Sequence, residues 1–262
     1  MRKPILAANW KMYKTAAEAK EFADQLLSYL QEQSSQYLLQ EQVEILVCPP
    51  FTALPAFAAA TKGTAVATGG QNLYPRKEGA FTGEVSPLML KAEGASYVII
   101  GHSERRQILG ETDELLNEKI KAALEYGLKP ILCVGETLEQ RQRGETAAFC
   151  QGQLAAALSG LDREVCDTLV VAYEPIWAIG TGESASPQDA QETIALLRQW
   201  LAETYGPAEA AKVRIQYGGS VKPENVAGYL AMPDIDGALI GGAGLQAASF
   251  WQMLQAVAAL EG

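Results

Sequence analysis

The sequence predicts an α/β fold, a single (β/α)8 barrel with a parallel eight-stranded core, on three observations. Eight short apolar runs recur along the chain, amphipathic segments separate them, and no linker or low-complexity stretch divides the 262 residues. Barrels of this kind typically take about 250 residues in one domain, so residues 1–262 are read as one unit. The runs are near-continuous rather than alternating, as parallel strands buried on both faces require. An open doubly wound sheet shares the same alternation and is the structural competitor.

In chain order the strands are read at ILAANW (5–10), VEILVCP (43–49), TAVATGG (64–70), YVIIGH (97–102), KPILCVGE (129–136), DTLVVAYEP (167–175), VRIQYGG (213–219) and DGALIGG (236–242). Between them, TAAEAKEFADQLLSYLQEQ from Thr15, LLNEKIKAALEYG ending at Gly127 and SPQDAQETIALLRQWLAETYG from Ser186 carry apolar residues at helical spacing. The last has a full set of boundary signals: Ser186 as N-cap, Pro187 at the first helical position, Asp189 in the first turn and Gly206 as the stop. Each helix is long enough for a right-handed crossover between parallel strands.

Composition narrows the function. Apolar residues make up 48% and charged residues 20%, the balance of a globular protein with a large core. The 21 Lys and Arg against 31 Asp and Glu leave a net charge of −10, which repels nucleic acid and anionic membranes. An anionic ligand then needs a local positive field. No apolar stretch approaches the roughly 20 residues of a membrane span, and the run in MRKPILAANWKM is too short for a signal-peptide core. Cys48, Cys133, Cys150 and Cys166 form no C-x-x-C pair, and the sole histidine is not beside any of them, so neither a zinc site nor a disulfide framework is expected. Reduced core thiols and a cytoplasmic enzyme fit best.

Active sites of parallel barrels lie at the carboxyl ends of the strands. The polar residues there are Asn9 and Lys11, Asn72, His102 and Glu104, Glu136, Glu174, Ser220, and the glycines Gly241 and Gly242. Glu174 closes an apolar strand, where desolvation is expected to raise its pKa into the range of a general base, and Pro175 holds it extended. IWAIGTGESAS after it has the composition of a short lid. Glycine turns at YGGS (217–220) and IGGAG (240–244) lead towards helix starts near Pro223 and in the last helix, and with Gly180 they can surround a phosphate through backbone N–H groups. Strand alternation puts Lys11 on the same side as Asn9, where it supplies positive charge. His102 precedes a helix start that Ser103 can cap, an environment that keeps an imidazole neutral and able to donate its N–H. A carboxylate base, a neutral donor, a lysine and a phosphate cradle describe proton abstraction next to a carbonyl of a small phosphorylated substrate.

ANWKM (8–12), QNLYPRKEGAFTGE (71–84), IGHSERR (100–106), CVGE (133–136), YEPIWAIGTG (173–182), YGGSVKPEN (217–225) and GALIGG (237–242) together resemble the triosephosphate isomerase family, in order and from end to end. That family works with a glutamate base, a neutral histidine at a helix start and a closing loop. The resemblance implies a TIM barrel that interconverts dihydroxyacetone phosphate and D-glyceraldehyde 3-phosphate in glycolysis and gluconeogenesis, with no cofactor or metal. It implies Glu174 as base, His102 as electrophile, Lys11 as electrostatic stabiliser, Asn9 beside the substrate oxygens and Glu104 as an orienting group. Gly180, Ser220, Gly241 and Gly242 would bind phosphate. It further implies a homodimer in which the loop around Phe81, Thr82 and Glu84 inserts beside the neighbouring site. Two positions depart from the family: Glu183, often lysine, and Gly244, where serine is common. A Schiff-base aldolase using Lys11 and a non-catalytic barrel scaffold are the alternatives.

Overall fold

The computed structural model describes residues 2–32, 41–178 and 185–260. Eight parallel strands close on themselves in sequence order: β1 (Ile5–Asn9), β2 (Glu44–Cys48), β3 (Val66–Gly70), β4 (Tyr97–Ile100), β5 (Lys129–Val134), β6 (Val170–Tyr173), β7 (Arg214–Tyr217) and β8 (Gly237–Ile240). Each lies within its expected run and is shorter than it, because the flanking polar residues turn into loops. Closure is made by β8 beside β1, with Ile5 opposite Gly237 and Ala8 opposite Ile240. The doubly wound alternative is thereby excluded.

Helices surround the barrel: α1 (Ala16–Glu32), α2 (Leu54–Ala60), α3 (Pro87–Ala92), α4 (Ser103–Gln107), α5 (Asp113–Glu125), α6 (Leu138–Gln142), α7 (Thr146–Ala157), α8 (Pro187–Tyr205), α9 (Pro207–Ala210), α10 (Val226–Leu230) and α11 (Ala247–Ala258). In α8 the sequence signals act as read: Ser186 accepts from the Asp189 N–H, the Asp189 carboxylate reaches back to Ser186, and Gly206 stops the helix at φ 103°. No helix among the described residues is long and apolar enough to cross a membrane.

Strand alternation divides the core in two. Ile5, Ala7, Leu46, Cys48, Ile99, Ile131, Cys133, Val170, Ala172 and Leu239 fill the barrel interior, where the small residues leave room for the branched ones. Leu6, Ala8, Trp10, Ile45, Val47 and Ile240 face the helices. Trp10 is packed edge-on by Phe22 and Phe57, with ring centroids 4.8 and 5.4 Å away, contacts worth about 0.5–1.5 kcal/mol each beyond their burial. The four cysteines are free and buried.

Polar side chains plug the amino-terminal end of the barrel. Glu44, Tyr97, Lys129 and Arg214 are each the first residue of a strand. Arg214 and the Tyr97 hydroxyl both donate to the Glu44 carboxylate. Arg214 Nη2 also donates to Tyr97 Oη at 3.0 Å, which Lys129 Nζ reaches at 3.4 Å. Burial alone pushes the Glu44 carboxyl up, but Arg214, the Tyr97 hydroxyl and Lys129 together hold it below its ordinary value.

A depressed carboxylate pKa contributes stability above the unfolded-state value near about 4.3 and loses it as pH falls through the lower folded value. Glu44→Gln is expected to destabilise the barrel at neutral pH by on the order of 3 kcal/mol, the scale of breaking a buried pair. In urea titrations the gap to wild type should narrow as pH drops below about 4; a constant gap would assign the loss to packing instead.

Candidate active site

At the opposite end, β1 stops at Asn9 and the chain leaves strand geometry. Lys11 has φ 51°, so strand alternation does not account for its direction. A turn does: the Lys11 N–H donates to Asn9 Oδ1 at 3.0 Å. The two residues are brought together as expected, for a different reason. Lys11 Nζ donates to Glu104 Oε1 at 2.6 Å, an ion pair partly open to solvent.

His102 follows β4 and is itself the N-cap of α4. Its Nδ1 accepts the Glu104 N–H at 3.3 Å, a role expected of Ser103. The N–H of Ser103 instead donates to Glu174 Oε2 at 2.8 Å. With Nδ1 accepting, the ring proton of neutral His102 belongs on Nε2, which stands 3.0 Å from Glu174 Oε1. Both Glu174 oxygens are thus engaged by the β4–α4 junction.

The charges of this pair differ from expectation. Burial strongly opposes the Glu174 carboxylate, yet His102, the Ser103 N–H and Lys11 outweigh it and hold the carboxyl below its ordinary value. Burial at the end of a strand was expected to raise it; the donors win because they contact the carboxylate directly. For His102, burial disfavours the imidazolium, but Glu174 and then Glu104 raise the pKa above the ordinary histidine value against the opposition of Lys11. The helix start therefore does not set the imidazole charge by itself.

Glu174 is delivered by β6, where its N–H donates to the Val134 carbonyl at 2.8 Å. Opposite it, a methyl group on Gly218 would lie 2.8 Å from Glu174 Cγ, so the glycine that follows β7 makes room for the Glu174 side chain. A cavity of about 240 Å³ opens between them, lined by Asn9, Lys11, His102, Glu174, Ser220, Gly241 and Gly242. Leu239, Lys222 and Ala243 also line it and were not singled out from sequence. Strand alternation from Gly237 signals Leu239, and Lys222 lies in the same turn as Ser220.

The two glycine turns are built differently from the expectation of helix starts. YGGS runs into a loop before the five-residue α10, which begins at Val226 rather than near Pro223. Asn225 holds that loop by donating to the Ser220 carbonyl and accepting the Lys222 N–H. IGGAG enters a 3-10 turn, Gly242–Leu245, before α11. Its first N–H groups have no partner within the turn, as at any helix start. Ser220 Oγ donates to the Ala178 carbonyl at 3.0 Å. Gly180 and Glu183 lie outside the described residues.

Two strand-end residues are structural here. Asn72 accepts from the buried Lys119 at 2.7 Å. Glu136 accepts from the Tyr173 hydroxyl and the Trp177 indole, each at 3.0 Å, and fixes the chain on both sides of Glu174. Among the described residues, no group of three or more His, Cys, Asp or Glu stands where it can hold a metal ion.

Against known proteins, the chain matches the triosephosphate isomerase family over residues 4–257. It is similar to a triosephosphate isomerase of Symbiobacterium thermophilum, with 55% identity over 258 residues covering 98% of each chain. It is likewise similar to one of Carboxydothermus hydrogenoformans, 54% identical and covering 95% of this chain and 97% of the relative. A third, of Chloroflexus aurantiacus, is 54% identical and covers 97% and 99%.

Because His102 is the sole histidine in the sequence, its imidazole nitrogens report alone in a 15N NMR titration. Glu174→Gln removes the chief influence raising its pKa and leaves burial in place, so the midpoint should fall below that of wild type. A midpoint that stayed or rose would refute the assigned coupling.

Proposed function

The chain belongs to the triosephosphate isomerase family, and on that premise we propose how it interconverts dihydroxyacetone phosphate and D-glyceraldehyde 3-phosphate, a step of glycolysis and gluconeogenesis. Glu174 is the base, His102 the electrophile, Lys11 the electrostatic stabiliser, and Asn9 lies beside the substrate oxygens. Glu104 orients Lys11. Ser220, Gly241 and Gly242 bind the phosphate, together with Gly180 in the family pattern. The observation that carries this reading is the contact of Glu174 with His102 and the Ser103 N–H in a cavity whose far wall is the glycine turn after β8.

For chemistry, the carboxylate must leave these two donors and meet the substrate carbon. Its pKa then rises, because burial remains while the His102 and Ser103 contacts are lost. A base that is fully ionised at rest thus becomes stronger as it engages. The same movement removes the main influence raising the pKa of His102, leaving a neutral ring with its proton on Nε2. Glu174 takes the proton from the carbon next to the carbonyl while the Nε2–H hydrogen-bonds the carbonyl oxygen, giving an enediolate. His102 moves a proton between the two oxygens, and Glu174 returns its proton to the neighbouring carbon. Lys11 offsets the negative charge on the enediolate oxygens.

The Schiff-base alternative is disfavoured by the position of Lys11, whose Nζ is held by Glu104 and partly open to solvent, not in the desolvated site that such a nucleophile requires. A non-catalytic scaffold is disfavoured by the family match and by the presence of every proposed group.

We also propose a homodimer in the cytoplasm. Phe81, Thr82 and Glu84 are exposed on the segment after β3. Met12 after β1 is 94% exposed and Ile108 after β4 is 75% exposed, with Tyr13 and Leu109 also open. Apolar side chains that a monomer leaves in water mark a contact surface. The free, buried thiols support a reducing compartment. One domain over residues 1–262 is supported by the family match across 4–257.

In a coupled isomerase assay, Glu174→Gln and His102→Gln are each expected to lose about 10²-fold or more in kcat, the scale of removing a positioned proton-transfer group; wild-type rates in both would sink the mechanism. Borohydride with substrate should leave no covalent adduct on Lys11. Sedimentation is expected to show a species of about twice the 28.1 kDa chain mass, and a monomer at micromolar concentration would overturn the dimer.

A further inference from the structure

The side chain of Ala8 points out of the barrel and is fully buried. Against it lies Gly244, in the Gly242–Leu245 turn whose first residues line the cavity. A methyl group on Gly244 would stand 2.9 Å from Ala8 Cβ, 3.4 Å from Ala8 Cα and 3.5 Å from Ile240 Cγ2. Non-bonded carbons pack best at about 3.5–4.0 Å. Ala8 Cβ has no rotamer through which to withdraw, and its backbone is fixed in the ladders to β2 and β8. One methyl group therefore fills the contact, and it is on the strand.

The same strand holds the turn a second way. The Trp10 indole N–H donates to the Gly244 carbonyl at 3.0 Å, a bond buried at both ends, and Phe22 and Phe57 immobilise the Trp10 ring. On the cavity side, a methyl on Gly241 would lie 3.6 Å from Lys11 Cε. The β1 segment thus borders the glycine turn at two points, Ala8 on the helix side and Lys11 on the cavity side.

We propose that Ala8 is a positioning residue for the phosphate-binding turn: its methyl group, seated in the space left at Gly244, sets how far that turn stands from Asn9 and Lys11. Positions 8 and 244 act as a pair matched in volume. The identity of the ligand as a triose phosphate rests on the isomerase reading; the contact itself does not. A pair that works by volume has a signature that separate structural roles lack: moving the methyl from position 8 to position 244 restores what either change alone removes.

The test compares wild type, A8G, G244A and A8G/G244A by steady-state kinetics with D-glyceraldehyde 3-phosphate and by calorimetric titration with inorganic phosphate. A turn displaced by several tenths of an ångström in G244A should raise KM and the inorganic-phosphate Kd about tenfold, with kcat within about threefold of wild type, because binding and not proton transfer is disturbed. A8G should raise both about threefold, and the double variant should return them to within about twofold of wild type. Unchanged KM and Kd in both single variants, or effects that simply multiply in the double variant, would overturn the proposal. If G244A does not fold, the double variant decides. Folding with near-wild-type phosphate affinity supports the pairing; failure to fold, or affinity no better than that of A8G, overturns it. A wild type that binds phosphate with this pattern but does not turn over triose phosphate would overturn the functional reading and leave the pairing intact.

Discussion

Strand β8 meets β1 at Gly237, where a methyl group would stand 2.1 Å from the Ile5 carbonyl oxygen. The two strands reach hydrogen-bonding distance because that position has no side chain. Once the sheet is closed, all eight carboxyl ends share one ring, and residues separated by most of the chain become neighbours. Asn9, His102, Glu174 and Gly241 line one cavity for this reason alone. Closure also creates the opposite end, where Glu44, Tyr97, Lys129 and Arg214 satisfy one another. Stability and chemistry thereby occupy different ends of the barrel.

At the chemical end, local contacts overcome the general cost of burial. A carboxylate removed from water costs several kcal/mol unless donors replace the solvent. For Glu174 they do: the Ser103 N–H and His102 Nε2 each take one oxygen. The net charge of −10 adds a second problem, since an anionic ligand must enter a protein that repels it. Lys11 is partly neutralised by Glu104, so in the proposed reading backbone N–H groups of the glycine turns and Lys222, which line the same cavity, supply much of the favourable field.

The elements with strong local signals were legible. The helix from Pro187 to Tyr205 carries its cap, its first-turn acid and its stop within its own residues, so no distant contact is needed to define it. Strands buried on both faces announce themselves by unbroken apolar runs. Where the signal depended on a neighbour, inference from the chain alone missed. Ser103 has the hydroxyl of a capping residue, yet the imidazole before it takes the cap. Asn72 and Glu136 sit at strand ends like the site residues but turn to Lys119, Tyr173 and Trp177. The direction of the Glu174 shift was reversed by donors 71 and 72 residues away in sequence.

By itself the sequence determined the number and order of strands, the one-domain barrel, and the residue types gathered at strand ends, because these follow from periodicity and from propensities acting over a few residues. The family resemblance carried the reaction as well. Only the tertiary structure decided which oxygen of Glu174 meets which donor, that a left-handed turn and not strand alternation aims Lys11, and that the methyl of Ala8 meets the bare backbone of Gly244. The physical reason is range. Propensity acts within a turn or a strand, whereas a pKa or a close contact is set by atoms within a few ångströms, and closing the sheet is what brings residue 8 to residue 244 and residue 102 to residue 174.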